Sequence, residues 1–455
     1  MEPTDFITLT RWAQGALLAG DPSARVGSVC TDSRALRAGD LFFALKGERF
    51  DAHGFVSEAA QRGALGAVVE TLGADVPSHF GLIQVPDVLQ ALQQVAAQYR
   101  QTLSLKVVAV TGSNGKTSTK DFTASVLSQR LVVTKTLGNF NNHIGLPLTL
   151  LRAAAGDQVG VFEIGMNHPG EIAPLAALAR PDVGIITNIG IAHIEFMGSR
   201  EAIAQEKGML AEALSAHGHL IVCGDDPFCV AIAKRTQATA LFCGLEQGDV
   251  RATELRQDFS GTTFVVHAGD KSVEVMLPVP GVHMVRNALL AVGAGLVFGL
   301  TLEECAAGLR ELTLTKGRLE QKLIRGIRVL DDTYNANPDS MEAALQTLIQ
   351  MPCTGRRIAV LGAMGELGVE SEHGHRRVGE VAGELGVDVL LCVGEAAKLT
   401  AEAGRGAGVK EVHYAANTEA GVLGLRTLVR RGDVVLIKGS RSAGMERVVE
   451  GLQPV

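Results

Sequence analysis

Gly112-Ser113-Asn114-Gly115-Lys116-Thr117-Ser118 stands between an apolar run and a segment of helical period. Two glycines allow a tight turn with inward-facing amides, and a helix N-terminus behind them offers further N–H groups, which is where a phosphate is held. Lys116 would pair with the β- and γ-phosphates of a nucleotide, and Thr117 would offer its hydroxyl to Mg²⁺. The spacing is not that of the common GxxxxGK[ST] loop. Five places before Gly115 stands Val110, and the upstream glycine, Gly112, is only three places back. A glycine-bearing turn with a solvent-facing lysine is the plain alternative; Gly, Lys and Thr in register after a strand outweigh it.

Other polar groups gather at strand ends. Glu163 closes the run "VGVFE", Asn188 closes "DVGIITN", and His193 lies one loop later in "IAHIEF". Open parallel sheets collect their ligands outside the carboxyl ends of the strands. A carboxylate suits Mg²⁺, which prefers oxygen; an imidazole suits it only as one ligand among several waters. Lys207 in "AIAQEKGML" would lose its proton readily beside metal cations. By sequence alone, a surface lysine paired with Glu206 is the simpler reading.

These groups need strands to deliver them. "KVVAVT", "VGVFEI", "DVGIITN", "HLIVCG" and "ALFCG" alternate with helix-period segments, the pattern of a parallel sheet covered on both faces. Lys106–Val110 reads as the strand before the phosphate loop and Lys116–Ser128 as the helix after it. Between Asp249 and Leu277 the period falls to two, which predicts a small antiparallel appendage. Ahead of this region, "VGSVC", "DLFFAL", "GAVVE" and "GLIQV" with one long helix over Asp87–Thr102 read as a small α/β domain. Beyond Lys316, "IRVLDD", "RRIAVLG", "VDVLLCVG" and "DVVLIKG" alternate with helices again. The fold class is therefore α/β in three domains: a small one over 1–103, a central nucleotide-binding one over 104–315 and a doubly wound, Rossmann-like one over 316–455. A chain of 455 residues is too long for one core, which fits that count.

A net charge of −7 argues against a nucleic-acid-binding surface. Seven scattered cysteines (Cys30, Cys223, Cys229, Cys243, Cys305, Cys353, Cys392) form no CxxC pair, so reduced and mostly buried thiols in a cytoplasmic protein are expected. The acidic start "MEPTDF" and the lack of an apolar run of about 18 residues lead us to expect neither a signal peptide nor a membrane span.

In order, the segments "VTGSNGKTST", "FEIGMNHPGEI", "TNIGIAHIEFMGS", "EKGML", "GVHMVRNALLA", "KGRLE", "DDTYNANPDSM" and "KGSRSAGME" resemble those of the Mur ligases, ATP-dependent amide-forming enzymes of peptidoglycan synthesis. The short phosphate loop is that family's form, with Ser113 where many members carry threonine. "DDTYNANPDSM" and the lack of a DNPR motif are most similar to the branch that adds D-alanyl-D-alanine to UDP-N-acetylmuramoyl-tripeptide; the diamino-acid-adding branch ranks next, and folylpolyglutamate synthetase after it. The resemblance implies ATP and Mg²⁺ as cofactors and a monomer. It implies metal ligation by Thr117, Glu163, His193 and a carbamylated Lys207, with Lys116, His193 and Lys207 in catalysis. It implies ATP contacts from Gly112, Ser113, Asn114, Gly115, Lys116, Thr117 and Ser118, from Asn287 near the base, from Arg318 at the phosphates and from Asp332 at the ribose, with Asp331 one register away. Ser33 and Arg34, within Thr31–Phe55, would contact the uridine nucleotide. Asn139, Asn142 and His143 would face the UDP-sugar-peptide, and Asn335 and Asn337 the dipeptide. Lys438, Ser440 and Arg441 follow a strand and suit either a phosphate or a carboxylate; a capping serine with solvated neighbours suits them equally.

Two other classes share the phosphate loop. A nucleotide-driven switch would hydrolyse ATP without an added carboxylate or amine, and a non-enzymatic nucleotide-binding module would need no second set such as His193 and Lys207.

Overall fold

The structure, a computed structural model, describes residues 1–47, 50–71, 73 and 76–453. Glu48 and Arg49, inside the Thr31–Phe55 segment, lie outside the described residues. By contacts the chain divides into two compact units: one of Met1–Ala109, Leu131–Gly165 and Glu171–Asp182, the other of Val110–Arg130, Met166–Gly170 and Val183–Val455.

In the first unit, Ser28–Cys30, Asp40–Phe43, Gly66–Val69 and Gly81–Gln84 run parallel, and Ala16–Ala19 closes the sheet antiparallel to the last of them. The two central strands are buried on both faces, which is why they read as unbroken apolar runs rather than as alternation. Phe42, Val56, Ala59 and Phe80 fill the core on one side. The helix Val88–Thr102 starts where Asp87 accepts a hydrogen bond from the Gln90 amide at 2.8 Å. It buries Val88, Ala91, Leu92, Val95, Ala96 and Tyr99, a stripe at helical spacing. The Tyr99 hydroxyl donates to the Ala153 carbonyl at 2.6 Å and so leaves no buried donor unpaired. The same unit holds the parallel pair Val133–Lys135 and Val159–Glu163, the strand that ends in Glu163.

In the second unit, Val183–Ile186, His219–Cys223, Thr239–Gly244 and Val250–Asp258 are parallel neighbours. Gly261–Ala268 and Lys271–Leu277 then add antiparallel, as the change of period predicts. They extend the same sheet instead of forming a separate one. A second sheet orders Glu320–Ile324, Ile327–Asp332, Val434–Lys438, Arg357–Gly362, Val389–Val393 and Glu411–Ala415, all parallel except the first. Val329, Ile358, Val360, Leu391, Val435 and Ile437 are in its core. Its two outer strands escape the sequence reading, for they are half polar and only partly buried.

The helix Lys116–Leu127 departs from amphipathic habit. Thr117, Ser118, Thr119, Lys120, Asp121 and Thr123 are buried together with Phe122, Val126 and Leu127. Lys120 Nζ and Asp121 Oδ1 pair at 3.1 Å inside it, and the Thr315 hydroxyl donates to Asp121 Oδ2 at 2.8 Å. Pairing thus keeps the charges of Lys120 and Asp121 inside, while the Thr119 and Thr123 hydroxyls are buried without a hydrogen-bond partner among the described residues. Among the described residues no helix is long and apolar enough to cross a membrane. Cys223, Cys229, Cys243, Cys305 and Cys392 are buried, and all seven thiols are free.

Candidate active site

The strand Lys106–Thr111 brings the chain to Gly112 at φ 146°, and Gly115 caps the following helix at φ 79°. Both angles suit glycine, and both positions are crowded. A Cβ on Gly112 would collide with the Thr187 hydroxyl, and one on Gly115 would come within 2.5 Å of the Asn287 amide oxygen. Asn287 therefore lies against the loop, buried on the helix Val282–Val297.

Side chains remote in sequence fix the loop between these glycines. The Asn114 amide donates to Asn188 Oδ1 at 3.0 Å, while its carbonyl accepts from Asn188 Nδ2 at 3.0 Å and Thr187 Oγ1 at 2.5 Å. Its side-chain oxygen accepts from Asn337 Nδ2 at 2.8 Å. Asn337 also caps the helix Pro338–Gln350, accepting from the Ser340 amide at 2.9 Å. Ser113 donates through its amide to the Asn188 carbonyl (2.9 Å) and through its hydroxyl to that of Gly190 (3.2 Å). Lys116 Nζ folds back to the carbonyls of Gly112 (2.9 Å) and Ser113 (3.3 Å).

Arg318 reaches the same place. Its Nη2 donates to Thr117 Oγ1 at 3.0 Å, and its guanidinium lies over the Tyr334 ring at 4.2 Å. Its Nε is buried with no hydrogen-bond partner, a donor held ready for an acceptor. Ser118 is buried one residue beyond Thr117.

Lys207 lies on Arg200–Glu212, a helix capped by Ser199. It is wholly buried, and its Nζ has no hydrogen-bond partner. Burial, and then the nearby charge of Lys116, push its ammonium well below the ordinary lysine range; Glu206 acts in the opposite sense. The structure thus corrects the surface lysine that sequence alone favours. His193, at φ 63°, presents Nδ1 to Glu366 Oε2 at 2.5 Å. That hydrogen bond is the main cause holding the Glu366 carboxyl below the usual range; burial opposes it, and the charges of His193, Lys116 and His168 add to it. Asp339 Oδ2 accepts from the Ile191 amide at 3.0 Å on the same loop.

The two aspartates of "DDTY" face apart, as neighbours on a strand must. Asp332 meets Lys438 Nζ at 2.5 Å and accepts from the Leu319 amide at 3.2 Å, and Lys438 also donates to the Asn335 carbonyl at 3.0 Å. Beside them, burial pushes the His283 imidazole down to about 4, with Asp332 opposing and Lys438 assisting. Asp331 instead meets Lys322 at 2.5 Å and the Thr333 hydroxyl at 2.7 Å. Ser440 Oγ lies 3.1 Å from Ser442 Oγ, and Arg441 is exposed, 3.7 Å from Glu446.

The remaining candidates belong to the first unit. Glu163 is buried: its amide donates to Thr136 Oγ1 at 3.0 Å, and its Oε1 accepts from Asn141 Nδ2 at 2.7 Å. Asn139, Asn142 and His143 are exposed on the preceding loop. Asn142 Oδ1 accepts from the amides of Ile144 (3.2 Å) and Gly145 (2.9 Å), and the His143 carbonyl accepts from Gln93 at 3.0 Å. Ser33 and Arg34 lie on a single helical turn capped by Asp32, whose carboxyl is brought down to about 2 by hydrogen bonds from Arg34.

Sequence reasoning passes over Asn141, Asp339 and Glu366. Asn141 and Asp339 had a signal, since they stand within "NFNNH" and "DDTYNANPDSM"; Glu366 had none, being a single carboxylate in the glycine-rich stretch "GAMGELG". Among the described residues no group of three or more His, Cys, Asp or Glu is arranged to hold a metal ion.

The chain matches the Mur ligase family, catalytic domain, over residues 25–100, the Mur ligase middle domain over 110–295 and the Mur ligase, glutamate ligase domain over 317–441. It is 40% identical to the UDP-N-acetylmuramoyl-tripeptide--D-alanyl-D-alanine ligase of Escherichia coli (strain K12), over 98% of this chain and 97% of that protein. Its structure resembles a crystal structure of MurF from Acinetobacter baumannii with a TM-score of 0.91 and 35% identity, over 99% of each chain. It also resembles MurF ligase from Thermotoga maritima in complex with ADP, with a TM-score of 0.83 and 30% identity, over 93% of this chain and 96% of that one. A chain matched in all three of its regions, and this closely over nearly its whole length, belongs to the Mur ligase family.

Proposed function

We propose that the chain joins D-alanyl-D-alanine to UDP-N-acetylmuramoyl-tripeptide at the expense of ATP, a step of peptidoglycan precursor synthesis. The observation that carries the reading is the braced phosphate loop, with Arg318 on Thr117, in a chain so alike end to end to ligases of that name. A carboxylate and an ammonium do not condense in water, so the tripeptide carboxylate oxygen first attacks the γ-phosphorus and ADP leaves. The dipeptide amine, having lost a proton, then attacks the acyl carbon; the amide C–N bond forms and phosphate departs. Both partners of the first step are anions, and the barrier is mostly repulsion and placement.

Lys116 and Arg318 answer that repulsion with positive charge, and the amides of the Gly112–Ser118 loop cradle the phosphates. In this reading Asn287 lies at the base and Asp332, oriented by Lys438, at the ribose. Ser33 and Arg34 hold the uridine nucleotide, Asn139, Asn142 and His143 the sugar-peptide, and Asn335 and Asn337 the dipeptide. Thr117, Glu163, His193 and Lys207 would hold Mg²⁺, which supplies charge neutralisation at the phosphates and the substrate carboxylate. Lys207 fits such a set only as a carbamate. Its buried, unpartnered Nζ, displaced toward the neutral amine, is what CO₂ adds to: an N–C bond forms, a proton leaves, and a carboxylate-like oxygen pair remains.

We assign the work to three domains, 1–103 for the UDP substrate, 104–315 for ATP and 316–455 for the dipeptide and part of the ATP. The three stretches matched by the family support the division. A nucleotide-linked substrate and ATP support a cytoplasmic site of action. Phosphate release tests the whole reading: it should need ATP, the UDP-linked tripeptide and D-alanyl-D-alanine together. Equal turnover with ATP alone would sink it.

A further inference from the structure

We infer that Glu366 is a positioning residue: its carboxylate sets the orientation and the tautomer of the His193 ring from the opposite side of a 173-residue gap in sequence. The proposal deepens the ligase reading and rests on it for the use to which His193 is put.

The contact is close and directional, with Oε2 at 2.5 Å from Nδ1. His193 has 16% of its side chain exposed and Glu366 44%, so a rim residue reaches in to an inner one. A carboxylate can only accept, so a hydrogen is held on Nδ1, and in the neutral ring the lone pair is therefore on Nε2. Metal-binding or reacting imidazoles are commonly steered in this way by an acid behind them.

A second, independent observation points to the same pair. His193 and Glu366 have φ of 63° and 59°, and neither is glycine. Left-handed backbone at a bulky residue persists only where its surroundings over-determine it. Here two such residues meet at one contact. The main chain fastens them as well: the Glu195 amide donates to the Glu366 carbonyl at 3.4 Å. Gly368, at φ 53°, lies so near Glu195 that a Cβ there would be 3.0 Å from its side chain. The loop after Arg357–Gly362 is thereby fitted to the turn His193–Met197 at both backbone and side-chain level. Helix capping explains none of this, because neither side chain caps a helix.

The test uses the full chain labelled with ¹⁵N-histidine, free of nucleotide and metal, with His193→Ala to assign the resonances. Native protein should show His193 as the Nδ1–H tautomer. Glu366→Ala should move it toward the Nε2–H form that an unconstrained imidazole prefers. Glu366→Gln, whose amide oxygen can still accept, should keep the native pattern. In turnover, Glu366→Ala should lose about 10- to 100-fold in kcat, with KM for ATP within about twofold, and Glu366→Gln should recover most of the loss. The double variant His193→Ala, Glu366→Ala should be no slower than His193→Ala alone. Unchanged ring nitrogens in Glu366→Ala, or losses that multiply in the double variant, overturn the proposal. If the nitrogens respond as expected but the native protein makes no amide, the ligase reading fails and the positioning role stands.

Discussion

The Gly112–Ser118 loop and the Ser33–Arg34 turn each follow a strand and open a helical turn, yet they are held in opposite ways. Asn114 and Thr117 take their partners from Thr187, Asn188, Arg318 and Asn337, between 73 and 223 residues away. Arg34 takes its partner from Asp32, two residues away, and 86% of its side chain is exposed. The first arrangement has its side chains ordered before any ligand arrives. Under the proposed role of the turn in holding the uridine nucleotide, the second reorders one on binding, at a side-chain entropy cost of about 1 kcal/mol or more. A site that stabilises a transition state gains from the first design. A site that only grips a substrate tolerates the second.

Substitutions can break that contrast. Lys116→Ala should abolish turnover, a loss of about a thousandfold or more in kcat, while circular dichroism and thermal melting stay native; a variant retaining most of its rate would remove the loop from the site. Lys207→Ala should come next, losing nearly all activity and regaining part of it with acetate at saturating Mg²⁺. Lys207→Arg should stay inactive, because a guanidinium cannot take up CO₂. A fully active arginine variant would return the residue to an ordinary structural role. Asn337→Ala should cost about tenfold in turnover and about 1 kcal/mol of stability in denaturant melts, since one side chain both caps a helix and steadies Asn114. The smallest effect is expected at Arg34→Ala: a KM for the UDP-linked substrate raised by about 3- to 10-fold, kcat near native, and stability within about 0.5 kcal/mol. A large kcat loss there would show that the turn acts in the chemical step.

The same contrast explains what the sequence made legible. Gly112, Gly115, Lys116 and Thr117 are contiguous, and strand and helix periods flank them, so local pattern alone announced the loop. The inner parallel strands were equally plain, because burial on both faces leaves unbroken apolar runs; Val133–Lys135 and Glu411–Ala415, at sheet edges and only partly buried, were not. Lys207 was opaque: a helix "AIAQEKGML" does not declare which face is interior, and the structure buries the ammonium entirely. Glu366 was silent for a different reason. Its meaning lies in His193, and one glutamate in a glycine-rich turn carries no period or spacing that names a distant partner. The Asp331–Asp332 ambiguity was one of register: neighbours on a strand face apart, Asp332 toward Lys438 and Asp331 toward Lys322, and no periodicity in the sequence tells which of the two looks which way.

The two units are not consecutive lengths of chain. The thread crosses between them at 109/110, 130/131, 165/166, 170/171 and 182/183. During synthesis the first unit is therefore not complete when its own five-stranded sheet has emerged, since its last segment ends at Asp182, and the phosphate-loop helix is made before partners such as Thr187, Asn287 and Arg318. The nascent protein passes through a long interval with that polar helix unsheltered. Its threonines, serines, lysines and aspartate, costly to bury without partners, are the composition that keeps such a segment soluble in the meantime.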